Sequence, residues 1–122
     1  MRVHELDHIV LTTPDVERAL SFYVGLLGMQ GDRVEEWRAG AVPFPSVRVT
    51  PGTLIDLQAG ERTGVNMDHL CLVVDSADVD AVATDARFDV IEGPVDRYGA
   101  RGMGRSVYVR DPDGNVVELR HY

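Results

Sequence analysis

The apolar positions of the chain follow one pattern twice. Residues 4–12 and 67–74 are apolar on both alternating faces, which predicts β-strands that other elements cover. After each strand, apolar residues recur at helical spacing, over 14–27 and then over 76–86. Three further strands are predicted in each half, near 32–38, 41–49 and 53–58 and near 89–96, 103–110 and 115–121. The order of strand, helix and three strands therefore occurs twice.

Local signals set the expected ends of these elements. Thr13 is the predicted N-cap of the first helix, with Pro14 at its first helical position and Gly28 at its end. Asp75 or Ser76 is expected to cap the second helix. The segment Asp111–Asn115 predicts the turn of the last hairpin, with Gly114 supplying a positive φ.

The two halves also share sequence. Leu6–Leu11 reappears as Met67–Leu72 with an offset of 69 − 8 = 61 residues, and Gly52–Leu57 resembles Gly114–Leu119 with an offset of 118 − 56 = 62. This agreement at both ends indicates duplication of one structural unit. We predict a single α+β domain over 1–122, with one βαβββ unit at 1–60 and the second at 66–122.

Composition narrows the classes of partner. The chain has 122 residues, 44% of them hydrophobic, which is typical of one globular domain. Its net charge of −8 opposes binding to nucleic acid or to an anionic membrane, and all 12 basic residues are arginine, which excludes a catalytic lysine. The single cysteine excludes an internal disulfide, and the longest apolar run is far below the ~20 residues of a membrane span. With acidic Glu5 near the start, a signal peptide is not expected either, so we predict a cytoplasmic location.

Four polar side chains interrupt the apolar strands at positions related by the repeat. Strand alternation puts His8 and His69 on the face turned away from the predicted helices, and it orients Asp56 and Glu118 in the same way on the last strand of each half. Imidazole nitrogen and carboxylate oxygen are ligands of divalent transition metals. A lone histidine in such a position is more often structural, but two equivalent histidines with two equivalent acids favour a metal site. The short side chain of Asp56 leaves open whether it reaches the metal.

Three longer motifs resemble the vicinal oxygen chelate superfamily, which includes glyoxalase I, fosfomycin-resistance enzymes, bleomycin-binding proteins, methylmalonyl-CoA epimerases and extradiol dioxygenases. They are Leu6–Asp15, Phe22–Met29 and Val107–Leu119. The resemblance covers essentially the whole chain and implies that the two βαβββ units form a concave, incomplete barrel. The segments Glu92–Val95 and Gly99–Gly102 resemble a less characterised branch of glyoxalase-domain proteins.

The resemblance also implies roles for individual residues. The superfamily's metal ligands fall on His8, His69 and Glu118, and the additional glutamate of glyoxalase I falls on Asp56. The implied cofactor is a divalent transition metal (Ni, Co, Mn, Zn or Fe) that holds two neighbouring oxygens of a small-molecule substrate, while Glu118 or Asp56 transfers a proton through an enediolate or oxyanion. Tyr108 matches a tyrosine that reaches the substrate in fosfomycin-resistance enzymes; a structural aromatic of the barrel wall is the alternative.

Comparison within the superfamily favours a metal-dependent isomerase or lyase of the glyoxalase I type. Val10 and the absence of lysine depart from the pattern of fosfomycin-resistance enzymes. The histidines argue against a metal-free protein that binds a small molecule or antibiotic. An Fe(II) extradiol-type dioxygenase uses the same two-histidine, one-carboxylate set, although most such chains are about twice as long. Both remain alternatives.

The resemblance finally predicts a homodimer, because sites in this superfamily are built from paired units that often come from two subunits. Pairing would also cover the open edges of four-stranded units. If the units exchange between subunits, His8 and Asp56 come from one chain, and His69 and Glu118 come from the other.

Overall fold

The computed structural model describes residues 1–26, 28–110, 114 and 116–122, and its α+β architecture confirms the predicted fold class. The strands in this part of the chain are β1 (Glu5–Thr13), β2 (Gln30–Asp32), β3 (Ser46–Thr50), β4 (Thr53–Ala59), β5 (Met67–Val73), β6 (Asp89–Gly99), β7 (Gly102–Arg110) and β8 (Val116–His121). The α-helices are α1 (Val16–Leu20), which continues as a π-helical segment (Ser21–Leu26), α2 (Val34–Arg38) and α3 (Ser76–Thr84). None of the helices in these described ranges is long and apolar enough to cross a membrane.

The chain forms two compact units. The continuous unit is Ile9–Asp68, and the discontinuous unit combines Met1–His8 with His69–Tyr122. In the continuous unit, β2, β3 and β4 pair in antiparallel order, with Val47 opposite both Gly31 and Ile55. Its core is formed by Val16 and Leu20 of α1 with Val47 and Leu57 of the strands, all buried.

The predicted strand near 32–38 is wrong over most of its length, because Val34–Arg38 forms helix α2. Val34 and Trp37 are three residues apart and pack against the same core, as helical spacing allows and strand alternation does not. Arg38 also pairs with Glu35, one turn earlier, at 2.6 Å, and with Glu17 at 2.9 Å. The strand expected from residue 41 begins only at Ser46.

The N-cap of α1 also differs from the prediction. Asp15 caps the helix by accepting a hydrogen bond from the backbone N–H of Arg18 at 3.0 Å, so Thr13 and Pro14 precede the cap. The Thr13 hydroxyl instead accepts a hydrogen bond from the Asp15 N–H at 3.2 Å. Gly28, at the predicted helix end, has a φ of 70°, which glycine adopts without strain. Leu27 lies outside the described residues.

The discontinuous unit carries a mixed four-stranded sheet in the order β5-β8-β7-β6. β5 is parallel to β8, and the other two pairs are antiparallel. Helix α3 follows Asp75, one of the two predicted caps. The α3 face of this sheet is packed with a buried apolar cluster, namely Val74, Val79, Val82, Val107, Val109 and Leu119.

The last hairpin is described only in part. Gly114 has the predicted positive φ, 88°. The other residues of the predicted turn, Asp111, Pro112, Asp113 and Asn115, lie outside the described residues.

Candidate metal centre

The register of β5, β8 and β7 gathers polar side chains on the sheet face opposite α3. Val107 and Leu119 pair across the strands and pack towards α3. Their neighbours Tyr108 and Glu118 also pair, and alternation turns both to the other face, with Cys71 beside Glu118 on β5. His69, two residues before Cys71, shares that face.

Three potential ligand atoms meet on this face. His8 Nε2 lies 3.1 Å from His69 Nε2 and 3.3 Å from Glu118 Oε2, and His69 Nε2 lies 3.2 Å from the same oxygen. The side chains of His8 and Glu118 are 3% and 1% exposed, whereas that of His69 is 12% exposed. The side chains of His8 and Glu118 are therefore buried, whereas the side chain of His69 is partly accessible to solvent.

The size of this triangle fits a transition metal. At a bond length of about 2.1 Å, adjacent ligand atoms are separated by about 3.0 Å in octahedral and about 3.4 Å in tetrahedral coordination, and the three observed separations of 3.1–3.3 Å lie between these values. Glu118 Oε2 is buried and makes no hydrogen bond within the described ranges. A buried carboxylate oxygen in this state is costly unless a cation or donor satisfies it. The donor set therefore fits a divalent metal ion.

The second oxygen of Glu118 is held by the protein. Ser106 Oγ donates a hydrogen bond to Oε1 at 2.5 Å, and the buried Arg120 guanidinium lies 3.3 Å from the same oxygen. Burial raises the pKa of Glu118, but the contacts with His69, His8 and Ser106 outweigh this effect and hold the pKa well below its usual range. Glu118 is therefore ionised at neutral pH.

Asp7 contacts His8 at Nδ1, the ring nitrogen that does not face His69 and Glu118. Its Oδ1 lies 2.7 Å from His8 Nδ1 and accepts a hydrogen bond from the Ala100 N–H at 2.9 Å, while the Tyr122 hydroxyl donates to Oδ2. Burial alone would raise the pKa of Asp7, but the combined effect of these hydrogen bonds is larger. The pKa of Asp7 therefore lies below its ordinary value. Asp7 is thus a buried, ionised acceptor.

Tyr108 lies next to His69, one of the three residues of the triangle. Its ring meets the His69 ring edge to face, with the centroids 5.5 Å apart. Burial, the nearby charge of Glu118 and a hydrogen bond with it raise the pKa of the phenol, so Tyr108 remains protonated at neutral pH.

Asp7, His8 and Cys71 form a second group whose potential ligand atoms lie within 4.8 Å of one another. Burial and the Glu118 charge raise the pKa of the Cys71 thiol, so the thiolate that a metal would require is strongly disfavoured. This group is therefore a much poorer metal site than the first.

Asp56 belongs to the continuous unit. It is 1% exposed, its Oδ1 accepts from the Ser46 hydroxyl, and Arg33 Nη2 lies 3.2 Å away. Its partners resemble those of Glu118, which also has a serine and an arginine beside it. Its role as a ligand or a base stays a prediction.

Sequence reasoning missed four residues that support the centre: Asp7, Ser106, Arg120 and Tyr122. Ser106 and Arg120 were detectable, because each lies two residues from Tyr108 or Glu118 and so shares a strand face with it. Asp7 precedes a candidate ligand, but nothing local distinguishes it from Asp68, which precedes His69 and is exposed.

Comparison with known proteins shows the family of the chain. The sequence model of the Glyoxalase/Bleomycin resistance protein/Dioxygenase superfamily matches residues 5–119. The glyoxalase domain-containing protein RDO1 of Mycosarcoma maydis is 35% identical over 133 residues, covering 100% of this chain and 70% of that protein. Virulence protein STM3117 of Salmonella typhimurium is 31% identical over 127 residues, covering 100% of this chain and 87% of that protein.

Solved structures show the same fold at lower identity. The 2,3-dioxygenase LapB of Pseudomonas sp. KL28 aligns with a TM-score of 0.67 and 19% identity, over 95% of this chain and 41% of that one. At this identity the likeness concerns the fold alone.

Proposed function

The chain belongs to the glyoxalase/bleomycin resistance protein/dioxygenase superfamily, and on that basis we propose that it is a divalent-metal-dependent enzyme of the glyoxalase I type. The reaction would be an isomerisation or lyase reaction of a small substrate with neighbouring oxygens. One observation carries this proposal: two imidazole nitrogens and a buried, unsatisfied carboxylate oxygen form a triangle of metal-ligand size.

His8, His69 and Glu118 would hold the ion, and Ni, Co, Mn, Zn and Fe all accept this donor set. When bound, a divalent cation supplies positive charge where neighbouring substrate oxygens become negative. Glu118 remains ionised because Ser106 and its histidine neighbours hold its pKa low. The side chain of His69 is 12% exposed, so it is the most accessible of the three residues.

Tyr108 and Asp56 are the proposed groups for proton transfer and substrate orientation. The Tyr108 phenol stays protonated, so it can donate a hydrogen bond to a substrate oxygen that gains charge. Asp56 is proposed as the base or as a fourth ligand, as its place in the repeat indicates. Glu118 is the alternative proton acceptor.

An Fe(II) dioxygenase is the second candidate, because two histidines and one carboxylate are the ligand set of many non-haem iron oxygenases. Oxygen uptake with catechols would support this alternative over the isomerase or lyase. A metal-free protein that binds a small molecule is the third candidate.

Elemental analysis tests the proposal. Wild type, His69→Ala and His4→Ala are made without an affinity tag in metal-supplemented medium. We expect nearly one metal ion per chain in wild type and in His4→Ala, whose side chain instead pairs with Asp75 at 2.6 Å, and almost none in His69→Ala. Wild type without metal, and without thermal stabilisation by added Ni²⁺, Co²⁺, Mn²⁺, Zn²⁺ or Fe²⁺, would contradict the proposal and favour the metal-free binding protein.

Activity assays then separate the two enzyme classes. Metal-dependent conversion of hemithioacetals of 2-oxoaldehydes, without oxygen uptake, supports the isomerase or lyase. Bound iron together with oxygen consumption on catechols overturns it in favour of the dioxygenase.

We also propose that the protein is a homodimer. In the discontinuous unit, β6 is the edge strand of β5-β8-β7-β6, and over its 11 residues the described pairing is with β7 alone. Long open edges are usually covered by pairing or packing. Light scattering at micromolar concentration tests this directly, and a monomeric mass would contradict it.

A further inference from the structure

We propose that Asp7 is a positioning residue of the metal centre: supported by Tyr122, it holds His8 in the tautomer whose Nε2 can act as a metal ligand. This inference rests on the proposed function, since it concerns the same three ligands. It assigns a role to two residues that would not touch the ion.

The Asp7–His8 contact determines where the imidazole proton lies. Both oxygens of Asp7 accept hydrogen bonds from other donors, the Ala100 N–H and the Tyr122 hydroxyl, so the carboxylate also acts as the acceptor towards His8 Nδ1, which lies 2.7 Å from Oδ1. Nδ1 must therefore carry the proton. In the neutral ring, Nε2 then carries the lone pair that a metal ion needs, and Nε2 is the atom that lies 3.1 Å from His69 Nε2. A carboxylate behind a ligating histidine fixes both its tautomer and its ring orientation in this way.

Asp7 is itself held in place by donors on both oxygens. The Ala100 N–H donates to Oδ1 at 2.9 Å, and the Tyr122 hydroxyl donates to Oδ2. The Tyr122 oxygen also accepts a hydrogen bond from the Arg101 N–H at 3.0 Å, which directs its own proton towards Asp7. Arg120 Nη1, 4.0 Å from Oδ1, adds positive charge. These contacts hold the carboxylate in one orientation. Through its contact with Nδ1, the carboxylate in turn fixes the orientation of the His8 ring.

Burial distinguishes the Asp7–His8 pair from the Asp75–His4 pair, which is also formed by a carboxylate and an imidazole. His4 Nε2 and Asp75 Oδ1 lie 2.6 Å apart, but their side chains are 37% and 57% exposed. The corresponding side chains of His8 and Asp7 are 3% and 0% exposed. Water can replace Asp75 as a partner of His4, whereas it has no access to replace Asp7.

The size of the effect follows from this arrangement. Loss of a group that orients a ligating histidine typically weakens metal binding by about 10- to 100-fold. We expect a loss in this range for Asp7→Ala. Tyr122→Phe keeps the Asp7 carboxylate but removes one donor, so its loss should be smaller and in the same direction.

Two measurements test the proposal. Zn²⁺ and Co²⁺ affinities are obtained by chelator competition for wild type, Asp7→Ala, Asp7→Asn and Tyr122→Phe, with Asp75→Ala as the matched control. The tautomer of His8 is read from the ¹⁵N shifts of its ring in the metal-free protein. We expect Nδ1–H in wild type, a shift towards Nε2–H in Asp7→Ala, and wild-type affinity in Asp75→Ala. Tyr122→Phe, which preserves the ring, carries the test if Asp7→Ala does not fold, whereas Asp7→Asn keeps an oxygen that can accept from His8 Nδ1 and should retain the wild-type tautomer.

The outcomes separate this inference from the proposed function. A wild-type His8 with its proton on Nε2, or folded Asp7→Ala and Tyr122→Phe variants with wild-type metal affinity, would overturn the positioning role while the metal centre stands. A wild type that binds neither ion would overturn the proposed function. The tautomer measurement needs no metal, so it would still decide the structural part of the inference.

Discussion

His8 Nε2 and His69 Nε2 lie 3.1 Å apart although 61 residues separate them in the chain. That separation equals the offset of the internal repeat, so the contact joins equivalent positions of the two halves. The rings meet nearly at right angles, with an interplanar angle of 83°. Each half thus supplies one imidazole, while Glu118 of the second half completes the triangle.

Ser106→Ala tests how far Glu118 depends on its hydroxyl donor. Both side chains are buried, and the 2.5 Å bond to Oε1 would be lost without water to replace it. A buried hydrogen bond to a charged group contributes about 1.5–3 kcal/mol, so we expect a loss of that order in the free energy of unfolding. Chemical denaturation of the metal-free protein measures it. Ser21→Ala, at an exposed hydroxyl, should change stability by less than about 0.5 kcal/mol; equal effects in the two variants would contradict the prediction.

Acid should destabilise the metal-free protein through Asp7 and Glu118. Both groups have pKa values below their ordinary values of 3.8 and 4.5 in the folded state. A lowered folded-state pKa adds stability above the unfolded-state value and loses it as the pH falls towards the folded-state value. Stability should therefore decline below about pH 4.5, by up to about 1.4 kcal/mol per pH unit for each group.

Glu118→Gln removes one of these two titrations, so the slope of unfolding free energy against pH should become shallower below pH 4.5. Denaturant titrations between pH 3 and pH 7, with chelator present, measure the slope. Glu61→Gln, at an exposed side chain, is the control. A slope for Glu118→Gln as steep as that of wild type would show that this carboxylate does not carry the acid sensitivity.

The convergence of His8, His69 and Glu118 could be predicted from the sequence because two periodicities coincide there. The repeat relates His8 to His69, and strand alternation puts Glu118 on the same face as its neighbours on the sheet. Helix α2 was missed because Val34 and Trp37 occur in a short segment whose polar residues also suit an exposed strand. Its helical form depends on packing against the core of the continuous unit, which no local pattern contains.

The supporting contacts could not be predicted, because their partners are distant in sequence. Asp7 is 93 residues from Ala100 and 115 residues from Tyr122. Alternation alone would turn Asp7 away from His8, but the carboxylate reaches back to the ring of its neighbour. Such a contact depends on the burial that the fold imposes, and that burial separates Asp7 from the exposed Asp68.

Gly99→Ala should disturb the support of the centre by steric overlap. A Cβ at residue 99 would overlap Arg120 Nη1 and lie 2.5 Å from the Tyr122 hydroxyl oxygen. Overpacking of this kind costs about 1–3 kcal/mol. Gly25→Ala is the matched control, since its Cβ would meet no described heavy atom within 4 Å, and alanine is favoured over glycine in a helix. We expect a lower melting temperature for Gly99→Ala and an unchanged or higher one for Gly25→Ala. The same melting temperature for both variants would be evidence against the close packing of Gly99.

Cys71 should be inert to thiol reagents in the folded protein. Its side chain is fully buried, and burial together with the Glu118 charge raises the thiol pKa. We expect negligible reaction with a disulfide reagent at pH 8 and complete reaction of one thiol per chain in denaturant. The absorbance of the released thiolate measures both. Rapid modification of the native protein would contradict the buried position of Cys71.

Subunit mixing tests whether one chain is sufficient for the triad. His8, His69 and Glu118 all belong to the discontinuous unit of one chain, and their ligand atoms converge within it. A heterodimer of His8→Ala and Glu118→Ala chains therefore has a damaged triad in each subunit, and we expect no recovery of metal binding. If each site instead combined His8 of one subunit with His69 and Glu118 of the other, one of the two sites in this heterodimer would be intact. Heterodimers isolated through two different removable tags, and analysed for metal after tag removal, separate these cases. A heterodimer of wild-type and His8→Ala chains should hold about half the wild-type metal, which shows that mixing itself does not abolish binding.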